Sequence, residues 1–172
     1  MIRIDLARCT GCRRCETACA FFRTGGISRH RSRVKVIQIY ETGLDSPVLC
    51  RQCRERYCLR CPEKALTVGS LGQIVVSPTI CNLCGVCETN CPVGALEIHE
   101  GIVYVCDLCG GRPACVEACT EKALEFEPGA SEILSLKEHK EKSRGLNPGE
   151  KRRLFIESEG APIRSLWEKG RG

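Results

Sequence analysis

Residues 81–92 read CNLCGVCETNCP, four cysteines spaced C-x2-C-x2-C-x3-C with a proline directly after the last. Three thiolates within seven residues, and a fourth four residues on, are the arrangement that holds a [4Fe–4S] cubane, the fourth cysteine serving the other cluster of a pair. Residues 9–19, CTGCRRCETAC, repeat the spacing without the proline. Residues 50–61, CRQCRERYCLRC, and 106–119, CDLCGGRPACVEAC, are looser versions. The four quartets are Cys9, Cys12, Cys15 and Cys19; Cys50, Cys53, Cys58 and Cys61; Cys81, Cys84, Cys87 and Cys91; and Cys106, Cys109, Cys115 and Cys119. Together they use all sixteen cysteines of the 172 residues. Sixteen thiolates match four [4Fe–4S] clusters with none left over, which predicts an electron carrier.

Other uses of cysteine fit less well. Disulfides suit secreted chains, whereas Met1-Ile-Arg-Ile-Asp-Leu6 runs straight toward Cys9 without an export signal. Structural zinc takes paired C-x2-C knuckles and does not need three cysteines in seven residues. A zinc-binding scaffold is therefore the alternative of a different class. A C-x3-C-x2-C triad, as in radical enzymes that use S-adenosylmethionine, does not occur.

Composition supports a cluster-built core. Aromatics are 5% of the residues, too few for a generous hydrophobic interior, so metal–thiolate bonds must supply folding free energy that apolar burial cannot. No apolar run approaches a membrane span, and the expectation is a cytoplasmic protein with no direct membrane span. The formal charge of +5 counts cysteines as neutral. Four oxidised cubanes with their thiolates add about −8, leaving the loaded protein near −3. Arg13, Arg14, Arg51, Arg54, Arg56, Arg60 and Arg112 then read as local counter-charge. No nucleic-acid partner is expected, because no aromatic-studded basic surface is visible.

Three segments align behind their last cysteines: CPEKALTV (61–68), CPVGALEI (91–98) and CTEKALEF (119–126). Each predicts the end of a short helix, then a strand opened by Ala-Leu. Two strands turn back as hairpins, through Gly69–Gly72 and through Glu100-Gly101. Ile2–Leu6 and Val34–Tyr40 alternate with period two and are further strand candidates. Gly11, Gly85, Gly110 and Gly111 let the backbone bend around a cubane and aim N–H groups at its sulfurs. The fold class is therefore α+β: two ferredoxin-like units, tandem bacterial-type ferredoxin folds, with a C-terminal helix and extended tail. The four-cluster domain spans 1–127, with an outer unit from 1–30 and 100–127 and an inner unit from 45–99.

With these quartets in this order, the chain resembles the four-cluster iron–sulfur electron-transfer subunits of molybdenum and tungsten oxidoreductases and of certain hydrogenase complexes, over roughly residues 1–127. The resemblance implies that outer and inner quartets each share two clusters. Cys9, Cys12 and Cys15 would join Cys119, and Cys106, Cys109 and Cys115 would join Cys19. Cys50, Cys53 and Cys58 would join Cys91, and Cys81, Cys84 and Cys87 would join Cys61. Only five residues separate Cys109 from Cys115, as in the soluble small subunits that serve tungsten aldehyde oxidoreductase-type enzymes, tungsten benzoyl-CoA reductase among them. The implied partners are a large catalytic subunit of that type and a soluble donor or acceptor, or a further redox subunit. A free-standing polyferredoxin or hydrogenase-complex carrier is the alternative. Cys61 departs from the family pattern, because C-x2-C replaces C-x3-C before Pro62. Losing one helical residue swings a ligand by about 100° and withdraws it by about 1.5 Å; a 3₁₀ turn restores its aim.

Residues 128–172 differ in character. A helix is expected from Ser131 to Arg144, ended by Gly145–Pro148. The tail beyond carries Leu154, Phe155, Ile156, Ile163, Leu166 and Trp167 for docking on the body or on a partner. His30, His99 and His139 are isolated and read as solvated. No phosphate loop, nucleophile–base pair or dinucleotide fingerprint appears, so no catalysis is expected of the chain by itself.

Overall fold

The structure, a computed structural model, describes residues 1–129 and 133–169. It is a small α+β protein built from antiparallel ribbons of two strands each. β1 (Ile2–Ile4) pairs with β8 (Leu124–Phe126), β2 (Lys35–Ile39) with β3 (Leu44–Val48), β4 (Leu66–Val68) with β5 (Ile74–Val76), and β6 (Glu97–His99) with β7 (Ile102–Tyr104). The helices are α1 (Arg14–Thr24), α2 (Val86–Asn90), α3 (Ala114–Glu117), α4 (Lys137–Lys142) and α5 (Pro148–Lys169).

The Cys-x3-Ala-Leu repeats produce the same local turn three times. Lys64, Gly94 and Lys122, each the third residue after its cysteine, have φ of 52°, 62° and 52°, a left-handed step that redirects the chain into β4, β6 and β8. The two expected hairpins form, with Leu66 opposite Val76 and Glu97 opposite Tyr104. β1 and β8 join residues more than a hundred positions apart, with Ile2 opposite Phe126. The Met1 ammonium donates to the Glu127 carbonyl at 2.7 Å and Asp5 N–H to the Ala123 carbonyl at 2.9 Å, which extends the ladder at both ends.

The partner of β2 was not anticipated, because Leu44-Asp-Ser-Pro-Val48 contains a proline. Pro47 lies opposite Val36, and the Val36 N–H donates to the Glu16 carboxylate at 2.6 Å instead of to the ribbon. At such an outward-facing pair a residue with no N–H loses no ladder bond.

The core forms three groups in which thiols and apolar side chains mix, as the scarcity of aromatics implied. One joins Ile2, Val34, Leu49, Leu108 and Leu124 to Cys15, Cys19, Cys106 and Cys115. Another joins Ala65, Leu66, Ile74, Leu96 and Val105 to Cys87. The third packs α5 through Phe155 and Ile156 on Ile39, Leu44, Val48, Val93 and Ala95.

The C-terminal expectation needs correction on three points. The segment after Asn147 is a 22-residue helix, not an extended tail. Asn147 and Glu150 cap it reciprocally, Glu150 N–H donating to Asn147 Oδ1 at 3.0 Å and Asn147 N–H to Glu150 Oε2 at 2.8 Å, with Pro148 at the first helical position. The expected helix shrinks to α4; its proposed start at Ser131 lies outside the described residues, as do the side chains of Leu166 and Trp167. His139 is not solvated: α4 buries it edge-on against the Phe155 ring, 5.2 Å between centroids.

Candidate metal centres

All sixteen cysteines are free thiols. Two cavities are each lined by four of them drawn from distant parts of the chain. Cys9, Cys12 and Cys15 meet Cys119 in a cavity also walled by Val36, Pro47, Ala123 and Leu124. Cys50, Cys53 and Cys58 meet Cys91 in another, walled by Tyr57, Val93, Leu96 and Leu136. Other thiols also have neighbours from a second quartet: Cys50 and Cys19 act on Cys106, Cys19 and Cys15 on Cys115, and Cys61 with Cys81 on Cys87.

The loops share a backbone device that the sequence did not announce. The residue before the second cysteine is left-handed in all four quartets: Gly11 (φ 65°), Gln52 (47°), Leu83 (60°) and Leu108 (59°). Only the first is a glycine, and at the others a side chain accepts a conformation that costs about 1–2 kcal/mol. A left-handed residue beside right-handed ones turns successive N–H groups to one side, the concave nest that binds anionic sulfur. The amides of Gly11, Gln52 and Leu108 accordingly lie where they favour the thiolate forms of Cys9, Cys50 and Cys106, against the burial that raises these thiols. Behind the last cysteines, Ala95 N–H donates to Cys91 Sγ at 3.3 Å and Ala123 N–H to Cys119 Sγ at 3.2 Å, so the Cys-x3-Ala repeat carries its own sulfur ligand. Arg33 N–H does the same for Cys19 at 3.3 Å. The 3₁₀ turn expected before Cys61 is present at Tyr57–Leu59.

Burial pushes these thiols up. Cys15 and Cys50 reach about 12, and Cys87 about 11. Cys9, Cys53, Cys58, Cys106 and Cys115 are raised for the same first cause. Thiols held so firmly protonated are poor surface nucleophiles; iron must displace the proton, and the metal–thiolate bond then neutralises the buried charge. The donor set therefore fits clusters: soft sulfur, amides aimed at it and, at Cys15, Cys19, Cys87, Cys106 and Cys115, burial. Among the described residues no group of three or more cysteine, histidine or carboxylate side chains is placed to hold a metal ion. A tetrahedral zinc needs its ligands around one point, whereas a cubane takes each thiolate on its own iron.

Charged side chains flank the quartets unevenly. Glu16, 3% exposed, lies beside Cys15 and is held by Arg13 at 3.2 Å and Arg29 at 3.5 Å as well as by Val36 N–H. Asp107 takes Arg23 and Arg33, the latter at 2.8 Å. Of the expected counter-charges, Arg51 has Nε and Nη1 buried with no hydrogen-bond partner among the described residues, and Arg112 forms a surface ion pair with Glu117. Among the described residues no helix is long and apolar enough to cross a membrane.

Comparison with known proteins agrees with this chemistry. The family described as "4Fe-4S binding domain" matches residues 1–24 and 73–96. The polyferredoxin-like subunit of the aliphatic sulfonate oxidoreductase of Pyrococcus furiosus is 40% identical over 124 residues, 70% of this chain and 71% of that protein. A probable anaerobic dimethyl sulfoxide reductase chain of Escherichia coli is 33% identical, covering 73% and 71%. Among solved structures, the active site complex BamBC of benzoyl coenzyme A reductase aligns at 26% identity and a TM-score of 0.43, covering 73% of this chain and 76% of that one. The chain belongs to the 4Fe-4S ferredoxin-type iron–sulfur subunits of oxidoreductases. It is an electron-transfer protein of that kind.

Proposed function

We propose that the chain carries four [4Fe–4S] clusters and passes electrons between a catalytic subunit and an external donor or acceptor. The ligand sets are Cys9, Cys12, Cys15 and Cys119; Cys106, Cys109, Cys115 and Cys19; Cys50, Cys53, Cys58 and Cys91; and Cys81, Cys84, Cys87 and Cys61. The observation that carries this reading is the pair of four-cysteine cavities, each of which draws three thiols from one quartet and the last from another. For the other two sets, Cys115 has Cys106, Cys19 and Cys109 among its neighbours and Cys87 has Cys61 and Cys81, while Cys106 lies between Cys50 of the adjoining set and Cys19.

Two ferredoxin-like units follow from this pairing. The outer one (1–30 and 100–127) is closed by β1 and β8 and the inner one (45–99) carries β4, β5 and β6, whose hairpin partner β7 begins the outer segment, within a body of residues 1–127 to which residues 128–172 add a docking segment. The clusters supply the one-electron chemistry; the protein supplies thiolates, amide hydrogen bonds and an interior that excludes water. The catalytic partner is a tungsten or molybdenum oxidoreductase subunit, of the aldehyde oxidoreductase type. The short Cys109–Cys115 spacing supports this, as does the place of the relatives in oxidoreductases. The chain would work in the cytoplasm and convert no organic substrate alone.

Anaerobic purification tests the reading. About sixteen irons and sixteen sulfides per chain are expected, with a large subunit co-purifying that contains tungsten or molybdenum. A zinc-only chain would sink the cluster reading. A cluster-loaded chain that never co-purifies with a larger subunit would make it a free-standing polyferredoxin.

A further inference from the structure

Lys151 is 2% exposed, an unusual place for an ammonium that makes no ion pair among the described residues. Its Nζ donates to the Thr89 carbonyl at 2.7 Å, and Lys140 Nζ donates to the Asn90 carbonyl at 3.0 Å. Thr89 and Asn90 end α2, and the next residue is Cys91. Both lysines act electrostatically on the Cys91 sulfur; Glu88 is the acid that faces Lys151, and Glu141 the one that faces Lys140. On the other side of the cavity shared by Cys50, Cys53, Cys58 and Cys91, the Arg51 guanidinium stacks on Phe155 of α5, 6.0 Å from the ring centroid. Its Nε and Nη1 are buried with no hydrogen-bond partner among the described residues; Glu159 is the acid that acts on it, together with Cys50.

Three cations thus converge on one thiol set, and two of them are carried by, or stacked on, the C-terminal helix. Buried cations with unpaired donors are costly unless an anion balances them. Glu55 also acts on Cys53 and Arg56 on Cys50, so this thiol set faces more cations than carboxylates, whereas Cys15 lies beside the Glu16 carboxylate and Cys106 beside Asp107.

We propose that the C-terminal helices α4 and α5 form a potential-setting element: by seating Lys140 (on α4), Lys151 (on α5) and Arg51 (stacked on Phe155 of α5) against the cluster held by Cys50, Cys53, Cys58 and Cys91, they raise that cluster's reduction potential. This rests on the ligand assignment proposed above. On reduction one electron enters from a low-potential donor, the cluster and its four thiolates gain one negative charge, and no bond is made or broken. Cations fixed beforehand favour the more negative state without reorganisation. They also offset burial, which disfavours that charge and would otherwise hold this enclosed cluster at low potential.

The lysines also cap the orphan carbonyls of α2, so the test must separate charge from capping. The full chain, loaded anaerobically, is titrated with dithionite while electron paramagnetic resonance follows each cluster. The cluster in question is assigned by the loss of its signal in Cys53→Ser. Lys151→Met is expected to lower the equilibrium constant for reducing that cluster about tenfold, a shift of about 59 mV to more negative potential, with the other clusters unchanged. Lys140→Met should move the same cluster in the same direction, which keeps the idea testable if Lys151→Met does not fold. Lys151→Arg, which keeps the charge, and Lys142→Met, an exposed control on α4, should leave it in place. Unchanged potentials in both methionine variants, equal shifts in all clusters, or an arginine variant that behaves like methionine would overturn the proposal. A wild-type chain with fewer than four clusters by iron and sulfide count would instead overturn the ligand assignment beneath it.

Discussion

Replacing Ile156 by alanine should release α5 from the body without unfolding the rest. The side chain is fully buried, packed on the β2–β3 ribbon with Phe155, Leu44 and Val48. The substitution removes three carbons, worth about 2.4 kcal/mol at roughly 0.8 kcal/mol each. Partial collapse of the space left behind adds up to about 2 kcal/mol, for a total of about 3 kcal/mol. Since α5 follows the cluster-binding segments and holds no cysteine, this loss falls on its own docking equilibrium, which should open about a hundredfold more often. Hydrogen exchange followed by mass spectrometry on the anaerobic full chain reads this directly. Peptides from 148–163 should exchange about two orders of magnitude faster than in the wild type, while those covering β1, β8 and α1 keep their protection. Equal acceleration across the chain would show that α5 and the cluster body unfold as one unit, and would refute the reasoning. Unchanged exchange in 148–163 would refute it equally.

Gly94→Ala should weaken the same contact from the other side: φ is 62° and an added Cβ would run into the Pro148 backbone at the start of α5, so the exchange of 148–156 should rise while Lys64→Ala, at the equivalent turn, does not affect it. Cys12→Ser and Cys84→Ser should each lose about four irons and destabilise the fold, as central ligands of regular quartets; full iron with an unchanged melting temperature in either would contradict the ligand sets. His139 titrates below its usual range because it is buried, with Lys142 adding to the effect. The folded state therefore takes up its proton less readily than the unfolded chain, and its stabilisation is complete above about pH 6.5 and fades as the pH falls below that. His139→Gln should flatten the fall in melting temperature between pH 7.5 and 5.5; an identical pH profile in the variant would count against it.

The sulfur framework was legible because it is local. Cysteine spacing survives any tertiary context, and the Cys-x3-Ala-Leu repeat foretold β4, β6 and β8 since the same turn recurs after each cysteine. The rest depended on long-range partners. β3 was hidden by Pro47, tolerated because its pair with Val36 faces outward and needs no proline N–H, while the outward Val36 N–H is taken by Glu16, twenty positions earlier in the chain. The left-handed Gln52, Leu83 and Leu108 carry no glycine to mark them, so the anion nests were invisible in composition. α5 had a readable signal in Asn147-Pro-Gly-Glu150, an N-terminal cap and its reciprocal glutamate, but Gly149, Gly160 and Pro162 argued against a long helix. Burial of Phe155 and Ile156 on the β2–β3 ribbon overrides that weak propensity.

The division of labour follows from the same physics. Thiol groups make up so much of the interior that cluster assembly and folding are one process, and the loops around the sulfurs have little freedom to change without losing iron. A segment that contributes no cysteine is free of that constraint. α5 reaches the sulfur set of Cys50, Cys53, Cys58 and Cys91 through Lys151 and, through Phe155, the guanidinium of Arg51. Arg152 anchors it by donating to the Gly94 carbonyl at 2.8 Å and pairing with Glu97 at 2.7 Å, a carboxylate that Lys35 also holds. Burial raises the Glu97 pKa, but Arg152 and Lys35 outweigh it and keep the group below the usual carboxylate range. The anchor is therefore ionised at neutral pH, and the charge that Lys151 brings to this sulfur set can vary by substitution on one helix while the cysteines stay fixed.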